Sequence, residues 1–370
     1  MSAAQGRSQA SSHRSPQGEG TPVSATEPRQ GRVQTVLGLV DPAVLGPTLM
    51  HEHVFIDLTP PPLRLNPPAE QEAVIDLCNC WGIAYGQKPF MRNYRLDETD
   101  VAVAELRDMQ AAGGASLVDL TVGGLNPQPD RLVEVARATG VHIVMGCGHY
   151  VHDYQHPANH TRTADDFARE MVEQLTVGAW GTAVRAGIIG EIGCQAPWTD
   201  LERRVMHGAL TAMQATGAAL NVHPGRDADQ PMEVVDFIRA RGLPVDRVVI
   251  SHIDRTIFDD DRLLRLADTG CVIEFDLFGW EQTAYPAADI DMPNDGARLR
   301  MVKLLVDRGH RDQVLISHDI CTRTRLGRYG GHGYQHIFAN IAPRMLRRGF
   351  TQADVDTILV KTPRRLLTLI

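Results

Sequence analysis

From residue 99 onward the chain alternates between two hydrophobic periods. Short, largely apolar runs read as strands at 115–121, 142–147, 187–192, 218–223, 247–252, 271–276 and 313–319. Between them lie stretches whose apolar side chains recur at three- and four-residue spacing: 99–112, 129–139, 164–178, 201–216, 231–241, 260–268 and 297–308. Leu299, Val302 and Val306, for example, fall on one helical face. Several of these helices stop at a glycine (Gly113, Gly140, Gly217, Gly242, Gly270), as a left-handed C-cap requires. A last helical stretch is expected from about Gln335.

One more strand precedes this series. It ends in Leu49-Met50-His51-Glu52-His53-Val54, and residues 33–40 before it read as a short hairpin closing a barrel floor. Near-continuous apolar strands separated by helices imply a parallel sheet covered on both faces. Eight such units close a barrel. The rival is an open doubly wound sheet, which would usually carry a glycine-rich nucleotide turn; no GxGxxG or P-loop is present. The expected fold class is therefore α/β, a (β/α)8 TIM barrel with a long loop after strand one. That loop, 55–97, holds Pro60, Pro61, Pro62, Pro67 and Pro68, then Trp81, Tyr85, Phe90 and Tyr94. A packed substrate lid and surface decoration with a few short helices are both open readings. Residues 1–34 are rich in Ser, Pro, Gly, Gln and Arg without an apolar centre, so they are expected to form a disordered tail rather than a secretory signal. Residues 35–370 are expected to form a single domain.

The chemistry-bearing residues cluster at predicted strand ends. His51 and His53 are two residues apart on a strand, so they share a face while Glu52 points away. Glu191 ends strand four, His223 strand five, His252 strand six and Asp319 strand eight. Apolar strands have no packing reason to end repeatedly in metal-binding groups, and the C-terminal strand ends are where barrels build active sites. Four imidazoles and two carboxylates point to a binuclear site for two divalent metal ions, with zinc expected and manganese an alternative.

Composition narrows the partners. The 370 residues carry a net charge of −8 with an isoelectric point near 6.0, which argues against a nucleic-acid surface. No apolar run is long enough to span a membrane. The six cysteines are scattered and lack CxxC pairing, as expected of free thiols in a reducing, cytoplasmic compartment.

As a set, HEH on strand one, GEIG on strand four, NVHPG on strand five, SHIDRT on strand six and SHD on strand eight resemble the phosphotriesterase family of the amidohydrolase superfamily. The likeness runs from about Val33 to the C-terminus. VQTVLGLV, GIIGEIGC, HPGR, EFDLFG, DIDMP and RYGGHGY resemble its phosphotriesterase-related branch. The resemblance implies that His51, His53 and Asp319 hold a buried metal, and that His223 and His252 hold a more exposed one. Glu191 stands where typical phosphotriesterases have a carboxylated bridging lysine. The strand-seven histidine of those enzymes is replaced near Leu277, and both departures weaken a phosphotriester reading. The implied mechanism is hydrolysis by a hydroxide shared between the metals, with Asp319 as the catalytic proton acceptor.

The branch is associated with amide hydrolysis of N-acetyltaurine and N-acyl amino acids. The preferred substrate is therefore a small anionic N-acyl amide. A lactonase or esterase, a phosphotriesterase, and a non-catalytic metal-binding interaction protein are the alternatives. Arg226, Arg255 and Arg323 follow strand ends and are candidates to face the anionic group; Arg325 is a neighbour of the last. Salt bridging to Asp227, Asp254 or Asp276 is the competing reading for these arginines. The loop from His149 to His156 is read either as substrate contact, as a third metal site or as a solvated loop. The family also implies a homodimer, though no residue pattern marks its surface.

Overall fold

A computed structural model of the chain describes residues 29–67, 74–86, 90–285 and 287–370. The first element is the antiparallel hairpin of β1 (Val33–Thr35) and β2 (Gly38–Val40). Val33 and Gln34 are buried, and Gly31 N donates to Leu369 O at 2.8 Å. The domain therefore begins before the boundary expected at residue 34: this segment is anchored to the chain's other end. Residues 1–28 of the expected tail lie outside the described residues, as do 68–73 and 87–89 of the long loop.

The first barrel strand is β3 (Thr48–Glu52). The connection after it holds β4 (Ile56–Asp57), the short helices α1 (Pro61–Leu65) and α2 (Cys80–Ala84), and β5 (Arg95–Leu96), which pairs antiparallel with β4. A strict alternation follows. It runs α3 (Thr99–Ala111), β6 (Ser116–Asp119), α4 (Pro129–Thr139), β7 (His142–Cys147), α5 (Ala164–Thr176) and β8 (Ile188–Gly193). It continues with α6 (Asp200–Thr216), β9 (Leu220–His223), α7 (Gln230–Arg239), β10 (Val248–Ile250), α8 (Asp260–Ala267) and β11 (Val272–Phe275). The last members are α9 (Asp295–Asp307), β12 (Val314–Ile316) and α10 (Ala342–Arg347). A π-helical turn at Ile337–Ile341 leads into α10, so this helical stretch starts two residues after Gln335.

Local chemistry explains the element bounds. Helices α5 and α6 open with reciprocal capping boxes, Thr163 with Asp166 and Thr199 with Glu202. Helices α4 and α6 end on Gly140 and Gly217 in the left-handed conformation. The eight barrel strands form one sheet in the order β12-β11-β10-β9-β8-β7-β6-β3, parallel throughout its ladders. The fold is the (β/α)8 barrel.

The seam between β12 and β3 is closed by a side chain. His51 N donates to Ser317 Oγ at 3.1 Å, Ser317 Oγ donates to His51 O at 2.8 Å, and Asp319 N donates to His51 O at 3.1 Å. Met50, Val118, Val144, Ile188, Val249, Val272 and Leu315 from seven strands, with Ala219 just before β9, belong to a separate apolar cluster that fills the barrel. Their strand neighbours pack outward beneath the helices. Among the described residues no helix is long and apolar enough to cross a membrane.

Candidate metal centre

The six residues expected at strand ends converge at one end of the barrel. His51, Glu191 and His223 lie on β3, β8 and β9. His53, His252 and Asp319 lie just beyond β3, β10 and β12. His252 and Asp319 adopt left-handed φ values of 55° and 50°, uncommon for residues with a side chain. The ladders also slip where ligands are displayed, between Leu49 and Glu52 and between Ile189 and Ile192. At the second slip Gly190 has φ 110°, and a Cβ there would stand 2.2 Å from Asn221 O. Only glycine lets the chain turn Glu191 inward at that closeness. Glu52 points away, as alternation requires, and accepts from His318 N at 2.9 Å and Ile320 N at 3.0 Å.

Glu191 stands at the middle. Its Oε1 lies 3.5 Å from His53 Nε2. Its Oε2 lies 3.4 Å from His51 Nε2, 2.7 Å from His223 Nδ1 and 3.3 Å from His252 Nε2. Asp319 Oδ1 is 3.2 Å from His53 Nε2. Three groups have donor atoms close enough to share one ion: His51, His53 and Asp319; His51, Glu191 and His252; and His51, Glu274 and Asp276, the last on the Nδ1 side of the ring, away from Glu191. One carboxylate, Glu191, thus reaches the imidazoles of the first two groups, the arrangement of a bridging ligand.

The rings are oriented from behind. His51 Nδ1 meets Ser251 Oγ at 3.1 Å, His53 Nδ1 meets Thr121 Oγ1 at 3.0 Å, and His252 Nδ1 meets Asp276 Oδ1 at 2.7 Å. Each leaves Nε2 facing inward, as metal-binding histidines require. His51 Nε2 is buried without a hydrogen-bond partner, an expensive state that a cation would relieve. Burial pushes His51 down, but Asp276 and Glu191 more than reverse this and hold it well above the usual imidazole range. Burial pushes His223 down to about 3, against the pull of Glu191 and with help from His252 and Arg255. Burial favours a neutral Glu191, yet His223 and His51 hold its carboxyl well below the usual range. The pocket therefore draws in positive charge, which a divalent ion would supply in place of protons. The donor set fits such ions.

The phosphotriesterase family model matches residues 31–367. The chain belongs to the phosphotriesterase family. N-acetyltaurine hydrolase of Bos taurus is 41% identical over 344 residues, covering 91% of this chain and 98% of the relative. The Homo sapiens N-acetyltaurine hydrolase is 40% identical with the same coverage. Among solved structures, a resiniferatoxin-binding protein from Rhodobacter sphaeroides superposes with a TM-score of 0.86 at 33% identity, covering 91% of this chain and 95% of that one.

In this phosphotriesterase-family barrel four of the six residues, His53, Glu191, His223 and Asp319, border a cavity of about 1020 Å³, while His51 and His252 are buried behind them. Its walls include Ile56, Leu58, Pro61 and Tyr94 from the long connection, so that segment lines the cavity and is not mere decoration. Tyr150, Val151 and Tyr154 come from the histidine-rich loop after β7. His149 in that loop pairs with Glu170 at 2.9 Å, and the loop joins none of the metal-capable groups among the described residues. Leu277, Trp280 and Tyr285 come from the loop after β11.

The three candidate arginines separate. Arg226 lines the cavity and donates to Tyr285 OH from Nη2 at 2.9 Å, with no carboxylate partner among the described residues. Arg255 is buried and donates to Pro224 O at 3.0 Å, with Nη2 3.2 Å from His223 Nε2. It lines the cavity and braces the loop that follows His223. Arg323 does not reach the cavity. It is paired with Asp97 and Glu98 and donates to Arg92 O and Arg95 O at 2.8 Å, so it ties the long connection to the loop after β12. Arg325 is held by the carbonyls of His318 and Asp319. Salt bridging, expected with Asp227, Asp254 or Asp276, occurs at Arg323 with other acids. Asp254 pairs instead with Arg298 at 2.8 Å. Asp276, Ser251 and Thr121, which orient the rings, had no signal of their own in the sequence beyond being polar residues near strand ends.

Proposed function

We propose that this protein is a metal-dependent hydrolase of small anionic N-acyl amides, with N-acetyltaurine as the foremost substrate. The supporting observation is Arg226, a guanidinium without a carboxylate partner on the wall of the cavity that opens onto the ligand cluster. Such a group favours a sulfonate or carboxylate. The names of the relatives at 40% identity point to the same substrate class.

His51, His53 and Asp319 would hold one divalent ion and His223 and His252 the other, with Glu191 between them. Zinc suits the imidazole-rich donors. When bound, the ions supply Lewis acidity toward the acyl oxygen and a water acidic enough to react near neutral pH. The protein's own part is positional. Arg226 holds the anionic end, and Ile56, Leu58 and Leu125 shelter the acyl group from water. Asp319 keeps a carboxylate at the cavity edge, where it takes a proton from the attacking water and returns it to the departing amine nitrogen. The C–N bond breaks, and acetate and taurine leave.

The six cysteines, all unpaired, support a reducing compartment, and we place the protein in the cytoplasm. The deciding experiment is acetate release from N-acetyltaurine by zinc-loaded protein, with His252→Ala as control. Turnover that disappears in the variant supports the reading. Bound metal without turnover on amide, ester or lactone would point to a non-catalytic metal-binding protein.

A further inference from the structure

A second polar groove of about 720 Å³ lies apart from the metal centre, between the N-terminal end of α9 and α10. Four arginines line it: Arg300 from α9, Arg344 and Arg347 from α10, and Arg348 just after. None has a hydrogen-bonded or ion-paired side-chain partner among the described residues. Arg344 Nε is buried and unsatisfied, which is costly unless something else accepts from it. Elsewhere this net-negative chain pairs many of its surface arginines with acids, as with Arg203 and Glu233 or Arg262 and Asp229. Four unpaired guanidinia around one concavity is thus a local reversal of charge.

Two carboxylates also face the groove, and only one of them is free to offset the four guanidinia. Asp295 is committed to Arg298 at 2.9 Å and His336 at 2.8 Å. Glu281 accepts from Asp295 N at 3.2 Å and keeps its charge, so the lining still carries an excess of guanidinium. The first turn of the thirteen-residue α9 forms one wall, so the positive end of its dipole adds to the arginine field.

We propose that this groove binds a small organic bisphosphate. Its volume is that of a metabolite site, and its lining is cationic and hydrogen-bonding rather than apolar. Two phosphoryl groups match the paired, fork-shaped donors better than one carboxylate does. The groove is wired to the substrate cavity. Gly279 N donates to Asp295 Oδ1 at 2.9 Å and Arg298 Nη1 donates to Trp280 O at 3.0 Å, so the wall of the groove holds the loop that carries Trp280 and Tyr285. The site is independent of the substrate assignment above.

Calorimetric titration of the metal-loaded protein with fructose 1,6-bisphosphate tests this. One equivalent should bind with Kd below about 1 mM. The double variant Arg347→Glu/Arg348→Glu changes exposed side chains only and should weaken binding by at least about tenfold. His252→Ala, which damages the metal centre, should leave affinity unchanged. Absence of binding, equal binding by the double variant, or loss of binding in His252→Ala would each overturn the proposal; the last would place the bisphosphate at the metal centre.

Discussion

Asp276 Oδ1 lies 2.7 Å from Nδ1 of His252, and the Nε2 of that ring faces Glu191. The same carboxylate reaches His51 Nδ1 at 3.3 Å. One buried acid therefore orients two imidazoles whose Nε2 atoms both face Oε2 of Glu191. Burial would raise Asp276, but His252 and His51 hold it well below the usual carboxylate range, so it is charged at every working pH.

Asp276→Asn keeps the shape and removes that charge. We expect metal affinity to fall by about 10–100-fold with the fold intact. Competition against a chromophoric chelator measures it. Unchanged affinity would show that the ring orientations do not depend on this acid.

Asp319→Asn should reduce kcat by about 10²–10⁴-fold while most of the metal stays bound. Metal content and kcat, read on the same sample, separate the two roles. Proportional loss of both would leave Asp319 as a ligand alone.

Arg226→Met should raise KM for N-acetyltaurine by about 10–100-fold, the worth of a charged hydrogen bond, with kcat little changed. Tyr285→Phe removes the hydroxyl that accepts from Arg226 and should give a smaller rise. A neutral N-acyl amide should not distinguish either variant from the parent. If KM for N-acetyltaurine is unmoved, the anion is held elsewhere.

Asp295 gives a pH signature. Burial would raise its pKa, but His336 and Arg298 hold its carboxyl well below the usual range. A depressed folded value means that its stabilisation is complete above the unfolded pKa of about 4 and fades as pH falls toward the folded value. Asp295→Asn should lower Tm by about 2–4 °C at pH 7, and the gap should close on acidification below about pH 4. A gap independent of pH would mean packing, not charge, is lost.

Gly190→Ala forces a Cβ against Asn221 O at a backbone angle that side chains avoid. We expect a loss of about 3 kcal/mol or more, or a displaced Glu191 with reduced metal binding. Urea unfolding together with metal content would detect either. A stable, fully metallated variant would show that β8 can relax without cost.

Much of this was legible in the sequence because barrel strands must be apolar, so a polar residue at the end of each stands out. His51, Glu191, His223, His252 and Asp319 announced themselves in that way. Position within the site was less legible. The slips at β3 and β8 change which residues face inward, and no local pattern encodes a slip. Arg323 followed a strand end like Arg226, but its partners Asp97 and Glu98 come from a distant loop that only the closed barrel brings near. That the start of β1 is tied to the other terminus was not legible, because Gly31 and Arg32 exchange backbone bonds with Leu369 and Val33 bridges Thr368, partners at the far end of the chain.

The seam at Ser317 has a consequence for biosynthesis. The hydroxyl that joins the last strand to the first binds both main-chain groups of His51. A ribosome must release nearly the whole polypeptide before that residue acquires its final position. Until then the early histidines exist without the late carboxylate of Asp319, whose backbone N–H also rests on His51 O. The pocket is thus a late product of synthesis, assembled from residues 266 positions apart in sequence.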